Sequence, residues 1–174
     1  MAIRPVIDAE SIAVRVAELG AKITSDYAGK ELVLVVVLKG SFMFAADLAR
    51  HIDLDVSIDF LGVRSYGDAQ ESSGVVEITN DLSRSIEGQH VILVEDIVDT
   101  GLTVHYLREN LETRQPASLR IASLLHKPDR TKVTVDIDYL GFTIDDVFIV
   151  GYGLDAGQKF RNLPFLGVVD PAGD

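Results

Sequence analysis

H-V-I-L-V-E-D-I-V-D-T-G-L-T, residues His90 to Thr103, is the stretch on which the reading of this chain turns. Val91 to Val94 is a short apolar run rich in β-branched residues, the signature of a buried central strand. Two adjacent carboxylates, Glu95 and Asp96, end it. Ile97 and Val98 follow, then a third carboxylate, Asp99, and the turn Thr100-Gly101-Leu102-Thr103. Val104, Leu107 and Leu111 then recur at helical spacing. The order is strand, acidic edge, Gly/Thr turn, helix. In an open α/β sheet, ligands bind beyond the carboxyl ends of the strands, where such turns lie.

The residue types of the turn select a ligand. Thr100, Gly101 and Thr103 can aim backbone N–H groups and two hydroxyls at one phosphate, against the positive end of the following helix. Glu95 and Asp96 would repel that phosphate. They suit diol hydroxyls, as acceptors, or a hard cation such as Mg²⁺. A ligand carrying a phosphate beside a ribose diol satisfies both halves.

Composition sets the outer bounds. A chain of 174 residues reads as one domain, 1–174, large enough for a real core. No stretch reaches the roughly 18 apolar residues of a membrane span, and the N-terminus lacks the layout of a signal peptide. There are no cysteines, so thiol nucleophiles, disulfides and Cys-based metal sites are excluded and a cytoplasmic location is expected. The net charge of −11 argues against nucleic acid as a partner. An acidic protein that binds a polyanion needs local cations, its own or Mg²⁺.

Asp8 is a candidate N-cap for a helix carrying Ile12, Val16, Leu19 and Ile23. Leu32 to Leu38 reads as a second buried parallel strand. It ends in Lys39-Gly40-Ser41, and a helix over Phe42–Ile52 follows, with Phe42, Ala45, Ala46, Leu48 and Ala49 on its apolar face. Val56 to Val63 alternates as a third strand. Arg64 to Gly74 is polar, without periodicity, and longer than an ordinary connection, which points to a disordered loop or a lid. Val75 to Thr79 returns as a strand. Leu119 to Leu125 is a buried strand closing on His126-Lys127. Val133 to Phe142 reads as a strand near a small subdomain, and Val147 to Tyr152 as a further apolar strand.

Gly151-Tyr152-Gly153-Leu154-Asp155-Ala156 matches the dinucleotide fingerprint G-x-G-x-x-A after a strand. That fingerprint needs a helix and then a strand bearing a carboxylate about twenty residues on. Pro164 and Gly167 interrupt the region instead, so a nicotinamide or flavin site is rejected. The four histidines show no metal-ligand spacing, and neither a G-x-S-x-G elbow nor a Walker loop occurs.

V-I-L-V-E-D-I-V-D-T-G-L-T resembles the phosphoribosyl pyrophosphate (PRPP) motif of type I phosphoribosyltransferases, and its E-D-I-V-D-T-G form is similar to that of the hypoxanthine-guanine branch. The resemblance extends over about residues 30 to 165. It implies an α/β phosphoribosyltransferase fold, a parallel sheet flanked by helices with a small hood built from the terminal segments. The implied reaction joins a 6-oxopurine to PRPP, giving a nucleoside monophosphate and pyrophosphate, with Mg²⁺ as cofactor and a homodimer or homotetramer as the assembly. Glu95 and Asp96 would hold the ribose hydroxyls, and Thr100, Gly101, Leu102 and Thr103 the 5′-phosphate; Asp99 would take the proton of the base. L-K-G resembles the pyrophosphate loop, in which the peptide before the lysine is typically cis, so Lys39 and Gly40 would contact pyrophosphate together with Arg161. V-F-I-V-G-Y-G-L-D is similar to the base-binding segment. By that likeness Phe148 stacks on the purine, Ile149 offers its main chain, and Asp155 approaches base and metal. Lys127 would donate to the purine 6-oxo group. Glu95, Asp96 and Asp155 form the implied metal set, and Ser65-Tyr66 the pair on the mobile catalytic loop. Glu77 departs from the basic residue often found at its position, which touches none of these roles.

Three alternatives stand beside this reading. A xanthine-preferring relative differs only in its base. A binding-only regulator on the same fold would hold PRPP without releasing pyrophosphate. A PRPP synthetase shares a similar turn but needs an ATP site and a far longer chain. If Arg64 to Gly74 is a lid that excludes water from the reacting centre, limited proteolysis should cut there in the free protein and slow when PRPP and an unreactive base analogue are both bound. Equal cleavage in the two states would count against it.

Overall fold

The computed structural model describes residues 2–65 and 75–170. Its elements in chain order are β1 (Ile3–Ile7), α1 (Ala9–Asp26), β2 (Leu32–Leu38), α2 (Phe42–Arg50), β3 (Val56–Ser65), β4 (Val76–Asn80), β5 (His90–Val98), α3 (Leu102–Glu112), β6 (Ser118–His126), β7 (Tyr139–Thr143), β8 (Ile149–Val150) and β9 (Leu166–Val169). Asp8 caps α1 by accepting the Ser11 N–H at 2.7 Å, and Ile12, Val16, Leu19 and Ile23 bury the face their spacing predicts.

The main sheet has six strands in the order β4-β3-β2-β5-β6-β7. All its pairings are parallel except that of β4, which returns antiparallel along β3. β2 is apolar throughout because both of its faces are covered. Leu34 and Val36 join Ile12, Val16, Phe44 and Leu48 in the core under α1 and α2. Val35 and Val37 join Val104, Leu107 and Leu111 in the core under α3. A second, antiparallel sheet, β1-β9-β8, is drawn from both terminal segments. Among the described residues no helix is long and apolar enough to cross a membrane.

Four expectations change. The central strand does not stop at the carboxylates: β5 runs on to Val98, because its ladder with β6 continues through Glu95↔Ser123 and Val98↔His126. Phe42 is 38% exposed, and Phe44, Ala45 and Leu48 are the residues of α2 that are buried. Of Val133 to Phe142 only the end is strand, and it belongs to the main sheet, where β7 pairs parallel with β6. The backbone ahead of it is committed elsewhere, since the N–H groups of Lys132 and Val133 both donate to Thr100 O at 2.9 and 3.0 Å. Finally, the expected strand over Val147–Tyr152 shrinks to Ile149–Val150, and tight turns follow with isolated bridges at Gly151↔Leu154 and Ala156↔Lys159. The turns leave no room for the helix of a dinucleotide site.

Candidate active site

The chain leaves β2 toward β3 on one side and β5 toward β6 on the other, so the switch point of the sheet lies between β2 and β5. Their pairing ends at Val36↔Val94, while β5 keeps its ladder with β6 as far as Val98. Beyond Val94 the two strands part, and the fork is lined by Glu95 and Asp96 on one side and Lys39 and Gly40 on the other.

At the end of β5, Gly101 has φ +86°, and a Cβ there would collide with Val133 O. That carbonyl belongs to the segment that is bonded to Thr100 O, so the turn is clamped from outside. Gly101 is also the N-cap of α3 and supplies no side-chain cap. Of the first-turn donors, the Leu102 N–H reaches Thr100 Oγ1 at 3.4 Å, and the positive end of the helix favours an anion. Asp99 is not a helix cap; its Oδ1 accepts from Arg130 Nε at 2.9 Å.

Across the fork, the peptide between Leu38 and Lys39 is cis. Gly40 packs so closely on Asp96 that a Cβ would collide with Asp96 Oδ2. Glu95 is buried, and its Oε1 has no hydrogen-bond partner among the described residues. Burial first, and the neighbouring Asp96 second, hold the Glu95 carboxyl well above the ordinary carboxylate range. Asp96 is raised as well, again by burial, with the Ile97 N–H and Arg161 pulling the other way. Two adjacent carboxylates with an orphaned oxygen are a hard, oxygen-only donor set, which fits Mg²⁺. Among the described residues no group of three or more acidic or histidine side chains is gathered to hold a metal. Asp155 Oδ1 lies 3.1 Å from Arg161 Nη2, and its Oδ2 accepts from the Gln158 N–H at 2.7 Å.

Arg161 closes this side of the crevice. Its Nη1 donates to Gly153 O at 2.7 Å. Gly153, at φ +102°, lies against Gly40 O with no room for a side chain between them. Gln158 then joins the two cations, with its Oε1 at 3.2 Å from Arg161 Nη2 and 3.5 Å from Lys39 Nζ. So Lys39, Gly40, Asp155 and Arg161, distant in sequence, form one cluster, and Gln158 is the member that sequence reasoning missed. Its position three residues from both Asp155 and Arg161 was the available signal.

At the other flank, Lys127 is buried rather than a surface lysine. Its Nζ lies 3.6 Å from Asp146 Oδ1, and Arg130 Nη1 lies 3.7 Å from Asp146 Oδ2. Neither Arg130 nor Asp146 was singled out from the sequence. Phe148 is 60% exposed, which rules out a core role for its ring; Ile149 beside it is buried and paired with Val168. Ser65 ends β3, whereas Tyr66 lies outside the described residues, as does the rest of the expected lid after it. On β4, Glu77 pairs across the strands with Arg64 at 2.6 Å. A cavity of about 700 Å³ opens at the opposite, amino ends of β2 and β3, between Asp55, Asp59 and Arg84. None of the residues above lines it.

The family model for the phosphoribosyl transferase domain matches residues 6–156. The chain belongs to the phosphoribosyltransferase family. It is 48% identical over 171 residues to a hypoxanthine-guanine phosphoribosyltransferase of Mycobacterium avium, covering 95% of this chain and 84% of that one. With the enzyme of that name from Bacillus subtilis it shares 45% over 166 residues, covering 95% and 92%. The crystal structure of a hypoxanthine-guanine phosphoribosyltransferase from Bacillus anthracis superposes with a TM-score of 0.94 at 46% identity, over 97% of this chain and all of that one. Within this phosphoribosyltransferase the type I fold carries the crevice described above.

The buried Glu95 predicts a stability effect of definite sign. The folded state holds its proton more tightly than the unfolded chain does. Its contribution is therefore present below the ordinary value of 4.5 and is lost as the pH rises through the raised one. Glu95→Gln should melt higher than the parent at pH 8 without ligands, by roughly 1 kcal/mol or about 2–4 °C. The gap should close as the pH falls toward 4.5. A variant that melts lower at pH 8 would contradict the cause assigned to the shift.

Proposed function

We propose that this chain transfers the 5-phosphoribosyl group from PRPP to a 6-oxopurine, hypoxanthine or guanine, releasing pyrophosphate in purine salvage. The observation that carries the reading is the fork itself. One crevice holds the glycine-led start of α3 beside a carboxylate pair, and a Lys39–Gln158–Arg161 cluster faces them. Those are complements to a phosphate, a diol and a pyrophosphate in one molecule. The names of the relatives support the same substrates.

In this reading the Thr100 to Thr103 turn holds the 5′-phosphate by backbone N–H groups and hydroxyls. Glu95 and Asp96 accept from the ribose hydroxyls and are the residues that would hold Mg²⁺. When bound, the ion supplies positive charge against the carboxylates and the pyrophosphate. Lys39 and Arg161 take up the charge that develops as the C1–O bond to pyrophosphate breaks. C1 becomes oxocarbenium-like, base N9 forms the new bond, and the proton on N7 passes to Asp99. Arg130 occupies only Asp99 Oδ1, which leaves Oδ2 for that proton. Phe148 stacks on the purine, Ile149 meets its edge with the main chain, and Lys127 donates to its 6-oxo group. Asp155 acts by holding Arg161 beside the pyrophosphate.

We further read residues 1–174 as one domain in which the β1-β9-β8 sheet is the hood. The exposed Ile58 and Phe60 of β3 offer a surface for a homodimer or homotetramer, and the lack of cysteine suits the cytoplasm.

A spectrophotometric assay of PRPP and Mg²⁺ against hypoxanthine, guanine and xanthine tests the reaction and ranks the bases. PRPP binding without pyrophosphate release would instead favour a regulator. Excess chelator should abolish turnover, because carboxylates and pyrophosphate cannot share the fork without a counter-ion; undiminished activity would remove the metal from the scheme. Asp99→Asn keeps size but cannot accept a proton at neutral pH, so kcat should fall by ~10²–10⁴-fold while PRPP affinity changes far less. Asp99 pairs with Arg130 near the surface, where an ion pair is worth about 0–1 kcal/mol, so the melting temperature should move little. Near-normal kcat in a stable variant would leave Asp99 without its role.

A further inference from the structure

We propose that Asp146 is a positioning residue for base recognition: one carboxylate oxygen orients the Lys127 ammonium, and the other steadies Arg130 against Asp99. The inference rests on the functional reading above and assigns it a residue that touches no substrate.

The geometry starts at the end of β6. Lys127 N–H donates to Val98 O at 3.0 Å, which fixes the lysine beside the end of β5. Pro128 to Arg130 then make a single 3-10 turn, closed by Arg130 N–H on Lys127 O at 3.2 Å. Lys127 and Arg130 are thus the two ends of one short, proline-stiffened unit. The segment carrying Asp146 is tied to the same place, because Ile144 N–H donates to His126 O at 2.9 Å. Asp146 meets both cations as a result, Oδ1 on Lys127 Nζ at 3.6 Å and Oδ2 on Arg130 Nη1 at 3.7 Å. With Arg130 Nε on Asp99 Oδ1 at 2.9 Å, the four side chains alternate in charge from Asp99 to Lys127.

Burial decides what this chain of charges is for. The Lys127 side chain is 11% exposed and Asp146 is 50% exposed. A nearly buried ammonium needs a counter-charge, and Asp146 is the carboxylate the structure places on it. A surface pair whose partners are both in water would be worth little and would orient nothing. Here the exposed carboxylate acts on a side chain that is not free to turn into solvent. Lys127 is thereby directed by a group behind it, and its remaining protons are left for an acceptor in the crevice.

Asp146→Asn keeps the shape and removes the charge. Asp145→Asn, at the exposed neighbour that makes no ion pair among the described residues, controls for net charge. In Asp146→Asn the KM for hypoxanthine should rise about tenfold, the scale set by weakening one charge-assisted hydrogen bond to the base. The KM for PRPP should stay within about twofold, since Asp146 acts on Lys127 and Arg130 and not on the Thr100 to Thr103 turn. Asp146→Glu should restore much of the base affinity. A second measurement needs no substrate: the rate at which an amine-acylating reagent modifies Lys127, read by mass spectrometry. It should increase in Asp146→Asn and not in Asp145→Asn. An unchanged acylation rate would refute the pairing. An unchanged KM for the base, or both KM values rising together with a lowered melting temperature, would refute the positioning role. If the parent protein turns over none of the three bases, the reaction itself falls, and this role with it.

Discussion

The active crevice depends on one event in the backbone, the parting of β2 from β5 after Val36↔Val94. Up to that rung the two strands share hydrogen bonds and no ligand could enter. Beyond it, β5 remains laddered to β6, while β2 gives way to the cis Leu38–Lys39 peptide and Gly40. The opening falls at the switch point, where neighbouring connections diverge to opposite sides of the sheet. Every group assigned to the ligand is arranged around that gap.

Close backbone approach keeps the gap narrow. Gly40 touches Asp96 on one side and Gly153 on the other, and neither glycine has room for a Cβ. The main sheet and the turns after β8 are thereby brought together at a single residue. Arg161 donates to Gly153 O from the far side of the same turn, so the position of the guanidinium follows from the packing of glycines. An acidic chain of net charge −11 thus concentrates cations where a polyanion would lie. The long-range field opposes such a ligand, and only interactions inside the crevice, less screened by salt, can reverse it.

The two flanks of the crevice are electrostatically different. On the side of the two cations, Asp155 and Gln158 hold Arg161 and Lys39 in a network with the polar groups mostly satisfied. At the fork, Glu95 and Asp96 are like charges with burial against them, and one oxygen has no partner among the described residues. A half-satisfied polar group in a buried position is expensive in a protein that only has to be stable. Its presence here marks a site completed by something other than the chain.

Much of this was legible in the sequence because it is local. The run Leu32–Leu38 has no polar residue and became a strand with the same bounds; Asp8 and the spacing of Ile12, Val16, Leu19 and Ile23 specified α1; the Gly-Thr turn falls between a strand and a helix, as its residue types require. What the sequence could not contain is the partner of each backbone and each charge. Glu95 and Asp96 look like a strand end, yet β6 extends the ladder past them. Val133 alternates like a strand, yet its N–H belongs to Thr100 O. The links of Lys127 and Arg130 to Asp146, and of Lys39 to Gln158, cross 16 to 119 positions of chain. Apolar runs and periodicity determined which segments would be strands and helices, since those follow from side-chain burial and local backbone preference. Which side chains meet in the crevice was decided by the tertiary fold alone, because such meetings depend on strand order and on glycine-to-backbone packing between distant segments.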